Sequence, residues 1–114
     1  MSRQLHLNAF VMGVGHHEAA WRHPRTDERR LLDPRHYIEV ARIAERGLLD
    51  SVFFADVLAV GPNVARNSQQ VFEPITLLSA IATATERIGL IATASTSYNL
   101  SLIHISEPTR LGMI

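Results

Sequence analysis

The aspartate that follows the most apolar segment of the sequence is its sharpest candidate for chemistry. Asp56 comes directly after residues 51–55, a nearly continuous apolar run typical of a strand buried on both faces. Catalytic and cofactor-binding groups gather at the carboxyl ends of such strands. Position alone fits an aspartate that caps a turn equally well, so both interpretations stay open.

Three histidines lie between the first predicted strand and the first predicted helix. His16, His17 and His23 accompany Trp21 and Arg22 there, on the same predicted edge as the aspartate, where they could contact a substrate or act as acid and base. A solvated polar loop is the alternative for any single histidine. The sequence has neither a His-Glu-x-x-His motif nor a well-spaced carboxylate set, so we predict no metal site.

Hydroxyl side chains mark the end of the third predicted strand. Thr93 and Ser95, followed by Thr96 and Ser97, could hydrogen-bond the polar edge of a ligand. Threonine is also a common strand residue, which is the structural alternative.

Motifs for nucleotide and acyl chemistry are incomplete or absent. Gly13 and Gly15 begin a dinucleotide-binding fingerprint, but position 18 is glutamate where the third glycine is needed. Neither a Gly-x-Ser-x-Gly elbow nor a P-loop is found, which counts against hydrolases and phosphotransferases.

Hydrophobic patterning predicts three strands separated by long segments. The strands are expected at residues 5–12, 51–55 and 88–94, with loops over residues 16–32 and 57–73.

Two helices are expected between these strands. Asp33 and Pro34 form a favoured helix start, and apolar residues at helical spacing continue to Arg46, with Gly47 as the predicted C-terminal cap. Pro74 begins the second helix. The resulting β-α-β-α-β order predicts parallel strands with right-handed crossovers, as in a β/α barrel or a doubly wound sheet.

The composition predicts a chain that folds and does not indicate a polyanionic partner. Its 114 residues include 11 basic and 11 acidic side chains, 46% hydrophobic residues and no cysteine. This length suits one small domain or part of a larger one. Zero net charge argues against binding to nucleic acid or an anionic membrane. No run is long enough for a membrane helix, and the expected location is the cytoplasm.

Six segments, in order, resemble the amino-terminal part of the bacterial-luciferase-like flavin-dependent monooxygenases. The nearest branch contains nitrilotriacetate monooxygenase component A and dibenzothiophene-sulfone monooxygenase. The segments are residues 15–24, 44–50, Phe53-Phe54-Ala55-Asp56, residues 73–78 and 85–90, and Thr93-Ala94-Ser95-Thr96-Ser97-Tyr98-Asn99. The implied fold is α/β, an incomplete amino-terminal part of a TIM (β/α)8 barrel.

The resemblance also implies an activity and a set of site residues. Members use reduced FMN, supplied by a separate NAD(P)H-dependent flavin reductase, and O2 to form a flavin hydroperoxide that oxygenates a small organic substrate. By similarity, Asp56 lies in the flavin site, Thr93 and Ser95 lie beside the isoalloxazine, and His17 is the catalytic candidate at the active-site mouth. The full-length form is expected to be a homo-oligomer.

From Leu100 onward the sequence departs from the family's pattern. The family continues with Glu-Pro-Tyr and a helix, whereas residues 100–110 resemble the in-frame translation of a transposon-based sequencing-library adapter. We expect residues 1–99 to be the amino-terminal portion of a barrel and residues 100–114 to be a non-native tail, with a genuine divergent tail as the alternative. Three strands of a barrel of about eight leave a sheet edge and the inner face uncovered, so we expect this chain alone to be inactive.

Two other functions fit the same residues. One is a deazaflavin-dependent oxidoreductase on the same barrel, which transfers hydride and does not use oxygen. The other is a non-catalytic α/β module that binds a partner through its exposed sheet edge. The substrate stays open among an aminocarboxylate chelate, a sulfone and a long-chain organic molecule.

Overall fold

Three parallel strands form the centre of the structure, a computed structural model that describes residues 3–57, Pro62 and residues 72–95. The strands are β1 (Asn8–Phe10), β2 (Ser51–Phe54) and β3 (Gly89–Ala92), and they lie in the order β1-β2-β3. Both neighbouring pairs are parallel. The predicted α/β class and strand direction are therefore confirmed.

The strands are shorter than the sequence pattern predicts. The predicted strand at residues 5–12 is reduced to Asn8–Phe10, and that at residues 88–94 to Gly89–Ala92. Leu5 lies before the first paired residue of β1, Asn8, and is 88% exposed. Strand ends depend on where the partner strand ends, and the apolar pattern carries no information about that limit.

Both helices begin at the predicted prolines, and the residue before each proline caps the helix with its side chain. Helix α1 (Pro34–Arg46) starts after Asp33, whose carboxylate accepts the Arg35 N–H at 2.9 Å. Helix α2 (Pro74–Ala82) starts after Glu73, whose carboxylate oxygens accept the N–H groups of Ile75 and Thr76. Among the described residues, no helix has the length and apolar character needed to cross a membrane.

Two predicted loops connect strands β1 and β2 to the helices that follow them. The first contains two short 3-10 helices, Ala20–Arg22 and Glu28–Leu32. The second, at residues 57–73, lies mostly outside the described residues.

The helices cover one face of the sheet and leave the other open. The buried core contains Tyr37, Ala41 and Ala44 from α1, Val52 and Phe54 from β2, and Leu77, Leu78 and Ile81 from α2. The opposite side, here called the uncovered face, carries Phe10, Phe53 and Ile91, one from each strand at the same register. Phe10 and Ile91 are each 43% exposed.

Glu45 joins the two turns that lead from helix to strand. Its Oε1 atom accepts the backbone N–H groups of Glu86, Arg87 and Ile88 at 2.9, 2.5 and 3.0 Å. These backbone hydrogen bonds, led by that of Arg87, lower the pKa of the Glu45 carboxyl from its usual value of 4.5. The carboxylate thus satisfies donors that have no partner in the strand ladder.

This carboxylate should make stability depend on pH. Because the Glu45 pKa is lower in the folded than in the unfolded chain, its contribution is fully present above about pH 4.5 and is lost as the pH falls through the folded value. We expect Glu45→Gln to lower the free energy of unfolding at pH 7, and the difference from wild type to shrink at acidic pH. Urea titrations across this range measure it. Glu86→Gln is the control, since the Glu86 side chain makes none of these bonds, and an equal loss there would contradict the assignment.

At the C-terminal end of α1 the left-handed residue is Leu48, one position after the glycine. Gly47 is the C-cap, as predicted, and its N–H donates to the Ile43 carbonyl at 2.9 Å, but its φ is −76°. Leu48 follows with a φ of 59°, a region that L-residues other than glycine rarely adopt. Its side chain is 83% exposed, so little packing offsets this strain.

Replacing Leu48 by glycine should therefore stabilise the protein. Glycine relieves the left-handed strain but has more conformational freedom in the unfolded chain. The net increase in the free energy of unfolding should be about 0.5–1 kcal/mol. Thermal unfolding of Leu48→Gly measures it. Leu48→Ala removes the same exposed side chain but keeps the β-carbon, and an equal gain there would show that backbone strain is not the cause.

Candidate functional site

The ends of the three parallel strands meet at one edge of the sheet, here called the carboxyl edge. Asp56 follows β2 by two residues, and Thr93 and Ser95 follow β3. The Thr93 N–H donates to the Phe54 carbonyl at 3.0 Å, which fixes Thr93 beside the end of β2. The structure therefore brings the predicted aspartate and hydroxyl residues to the ends of neighbouring strands.

Asp56 combines partial burial with a carboxylate that has no partner among the described residues. The side chain is half-buried, and within residues 3–57, 62 and 72–95 it has no hydrogen-bond or ion-pair partner. Ser95 is also half-buried and does have partners. An ionised carboxylate can accept several hydrogen bonds from a ligand, and none of the described residues occupies that of Asp56.

His17 is committed to its own turn. Its Nδ1 atom accepts the Ala19 N–H at 3.1 Å, its carbonyl accepts the Ala20 N–H at 2.8 Å, and the side chain is exposed. None of the contacts described for it reaches Asp56 or Thr93. Its role as the catalytic candidate stays a prediction.

The neighbouring histidine is the one held at the end of a strand. The Nε2 atom of His16 donates to the Phe10 carbonyl at 2.7 Å, and its ring meets the Phe10 ring edge-on with centroids 4.9 Å apart. Phe10 in turn contacts Phe53 with the same centroid separation. His16 therefore borders the uncovered face at the carboxyl edge.

A cavity of about 390 Å³ opens beside the end of β1. Its walls are residues 9–16, residues 25–27 with Arg30 from the first loop, and His36 and Val40 from α1. We call it the rim cavity. Its volume lies within the range of small-molecule sites, and its lining is largely apolar with a few polar groups, as such sites usually are.

Most polar groups of the rim cavity already have partners. Arg30 pairs with Glu39, Thr26 Oγ1 donates to the Ala20 carbonyl at 2.9 Å, and His36 Nε2 donates to the Gly13 carbonyl at 3.2 Å. The other ring nitrogen of His36, Nδ1, is buried without a hydrogen-bond partner.

The sequence analysis missed the polar cavity residues Arg25, Thr26, Asp27, Arg30 and His36. His36 could have been found, since a helix that follows a parallel strand begins at the carboxyl edge and His36 lies in the first turn of α1. Arg25 gave no signal, because it sits among many charges in a loop without periodicity. The described residues contain no cluster of three or more histidine, aspartate or glutamate side chains arranged to hold a metal.

The opposite edge of the sheet carries a hydrogen-bonded pair of a histidine and an aspartate. Asp50 accepts a hydrogen bond from His6 Nδ1 at 3.2 Å and the Leu7 N–H at 2.6 Å. The hydrogen bond from His6, followed by that from Leu7, lowers the pKa of Asp50. Because ligands of parallel sheets bind at the carboxyl ends, these residues are assigned to stability.

Comparison with known proteins gives consistent matches. The family model for luciferase-like monooxygenases matches residues 10–108. N-acetyl-S-(2-succino)cysteine monooxygenase of Bacillus subtilis (strain 168) is 45% identical over 97 residues, 85% of this chain and 22% of that protein. Nitrilotriacetate monooxygenase component A of Aminobacter aminovorans is 36% identical over 110 residues, 86% of this chain and 24% of that protein.

A solved structure shows the same architecture. EDTA monooxygenase from Chelativorans sp. BNC1 superposes with a TM-score of 0.82 at 31% identity, covering 97% of this chain and 27% of that one. The chain thus spans about a quarter of the length of its relatives. The family match includes residues 100–108, part of the tail whose foreign origin stays a prediction. With its parallel β-α-β-α-β order and these matches over most of its length, the chain belongs to the luciferase-like monooxygenases and corresponds to part of their TIM barrel.

Proposed function

We propose that this chain is the amino-terminal part of a two-component monooxygenase that uses reduced FMN and O2 to insert one oxygen atom into a small organic substrate. The observation that carries the proposal is the family match over residues 10–108. The curated relatives and the solved neighbour compared above are all named as monooxygenases.

The residues at the carboxyl edge suit a flavin. The Asp56 carboxylate and the hydroxyls of Thr93 and Ser95 offer hydrogen-bond partners for the polar edge of an isoalloxazine. Phe10 and Phe53 on the uncovered face supply an apolar neighbour that excludes water. When bound, reduced flavin supplies the electrons that activate O2.

The proposal includes partners and location. A separate NAD(P)H-dependent flavin reductase would supply the reduced FMN, and the name of one relative describes it as a component. We place the enzyme in the cytoplasm as a homo-oligomer without a nucleic-acid or membrane partner. His17, in the exposed loop after β1, is our proposed catalytic residue at the site mouth.

Flavin binding by the full-length gene product that contains this chain tests the proposal. Anaerobic titration with reduced FMN should give saturable binding, and mixing with O2 should reoxidise the bound flavin. Asp56→Ala should weaken binding about 10–100-fold, since a hydrogen bond to a charged group contributes about 1.5–3 kcal/mol. Glu86→Gln, a carboxylate in a helix-to-strand turn, serves as the control and should bind like wild type.

The alternatives predict different results in the same assay. A protein that binds the deazaflavin cofactor but not reduced FMN would be a hydride-transferring oxidoreductase on the same barrel. A protein that binds neither and assembles with concentration would be an interaction module, and either result would refute the monooxygenase.

Family membership does not determine the substrate. The names of three relatives refer to carboxylate-bearing compounds, N-acetyl-S-(2-succino)cysteine, nitrilotriacetate and EDTA. Two others are named for long-chain alkanes and dimethyl sulfide. The substrate class must therefore be inferred from this chain's own residues.

A further inference from the structure

We propose that the rim cavity binds a carboxylate group of the substrate through the guanidinium of Arg25. The inference rests on the proposed function, because it assigns a substrate class, small organic carboxylates, to the same carboxyl edge.

Among the described residues, one cation of the cavity forms no ion pair. The wall also carries the negative charge of Asp27, which a hydrogen bond from a backbone N–H does not neutralise. Three charged residues line the cavity, Arg25, Asp27 and Arg30. Arg30 pairs with Glu39, which is not part of the lining. Asp27 caps the second 3-10 helix, where its Oδ1 atom accepts the Arg29 N–H at 3.1 Å. The Arg25 guanidinium has no hydrogen-bond or ion-pair partner among residues 3–57, 62 and 72–95.

The backbone of Arg25 is nevertheless fixed. Its N–H donates to His23 Nδ1 at 3.2 Å, and the next residue, Thr26, donates through its N–H to the His23 carbonyl at 2.8 Å and through its Oγ1 to the Ala20 carbonyl at 2.9 Å. The loop therefore fixes the backbone position from which the exposed Arg25 side chain extends at the wall of the cavity.

The remaining wall defines the rest of the ligand. Apolar side chains dominate it, among them Val11, Met12, Val14 and Val40, so the bound anion must carry an apolar body. A carboxylate brings one negative charge, which a single guanidinium balances with two parallel hydrogen bonds. A phosphate monoester brings nearly two charges at neutral pH and would need a further cation.

The cavity adjoins the uncovered face through His16 and Phe10. His16, which lines it, is bonded to the carbonyl of Phe10, and Phe10 contacts Phe53 on the uncovered face. A carboxylate held by Arg25 would therefore anchor one end of the substrate and leave its body to extend along the carboxyl edge towards Asp56 and Thr93.

Binding of hexanoate and of its neutral analogue hexanamide to the flavin-free full-length protein tests this inference by isothermal titration calorimetry. We expect hexanoate to bind at least about tenfold more tightly than hexanamide, and Arg25→Gln to abolish this preference. Arg29→Gln is the matched control, since Arg29 lies in the same loop and does not line the cavity. Its preference for hexanoate should equal that of wild type.

Several results would overturn the assignment. Equal binding of the two probes to wild type, an unchanged preference in Arg25→Gln, or no measurable hexanoate binding would each refute it. Displacement of hexanoate by an equal concentration of inorganic phosphate would refute the carboxylate class. Because these titrations contain no flavin, their failure is distinct from failure of the monooxygenase proposal. Reduced-FMN binding in Arg25→Gln should remain at the wild-type level.

Discussion

Phe54→Ala is expected to lower the free energy of unfolding of this chain by about 3–5 kcal/mol, the cost of emptying a fully buried phenylalanine site. Phe54 is 0% exposed on the helix-covered face, and its ring meets Tyr37 at a centroid distance of 6.0 Å. Small domains are stable by only about 5–15 kcal/mol, and neither helix covers the second face of this sheet. The variant should therefore lose cooperative unfolding, as measured by urea titration with far-UV circular dichroism.

Phe10→Ala is the matched comparison, because the same residue type occupies the opposite face of the same sheet. Phe10 is 43% exposed, so in the 114-residue chain its truncation should cost about 1 kcal/mol. In the full-length protein, where further strands would enclose the uncovered face, the cost should approach that of Phe54→Ala. A cost that stays small there would contradict enclosure of this face in a barrel.

Gly89→Ala is expected to destabilise the protein by about 1–3 kcal/mol through overpacking. A β-carbon at Gly89 would lie 2.9 Å from the Asp50 carbonyl oxygen and 3.1 Å from the Ser51 β-carbon. The carbonyl cannot easily withdraw, since it accepts the Gly89 N–H at 2.8 Å in the contact between β2 and β3. The close approach of two strands, and not a special backbone angle, requires glycine here.

Gly47→Ala provides the control for this prediction. At Gly47 the nearest contacts of an added β-carbon would be 3.3 Å, to the Ile43 carbonyl oxygen and to Leu49 Cδ1. We expect a change below about 1 kcal/mol there, because alanine also favours the helix. Thermal unfolding of both variants measures the difference, and a Gly89→Ala protein as stable as wild type would disprove the steric argument.

The sequence predicted best the elements whose signals are local. The bounds of α1 at Pro34 and Arg46 follow from a capping aspartate, a proline at the first helical position and an apolar stripe, all within one segment. The parallel order of the strands follows from short helix-to-strand turns and long strand-to-helix loops. Features that involve partners were not predicted, such as the left-handed Leu48 and the three N–H groups bound by Glu45. The bonds of Glu45 depend on where a second segment, about 40 residues away, comes to lie, and the left-handed conformation of Leu48 has no sequence signal because glycine, which favours it, stands one position earlier.

The sequence likewise predicted the positions of some residues of the candidate site and not of others. The sequence by itself placed Asp56 and Thr93 at one edge, because residues that follow neighbouring parallel strands must share it. Only the tertiary structure decided that His16 lies against Phe10 while His17 turns away, and that Arg25 lines a cavity without an ion-pair partner among the described residues. A loop without periodicity has no repeating pattern to show which side chains point inward. That choice is made by the strand end and the helix against which the loop packs.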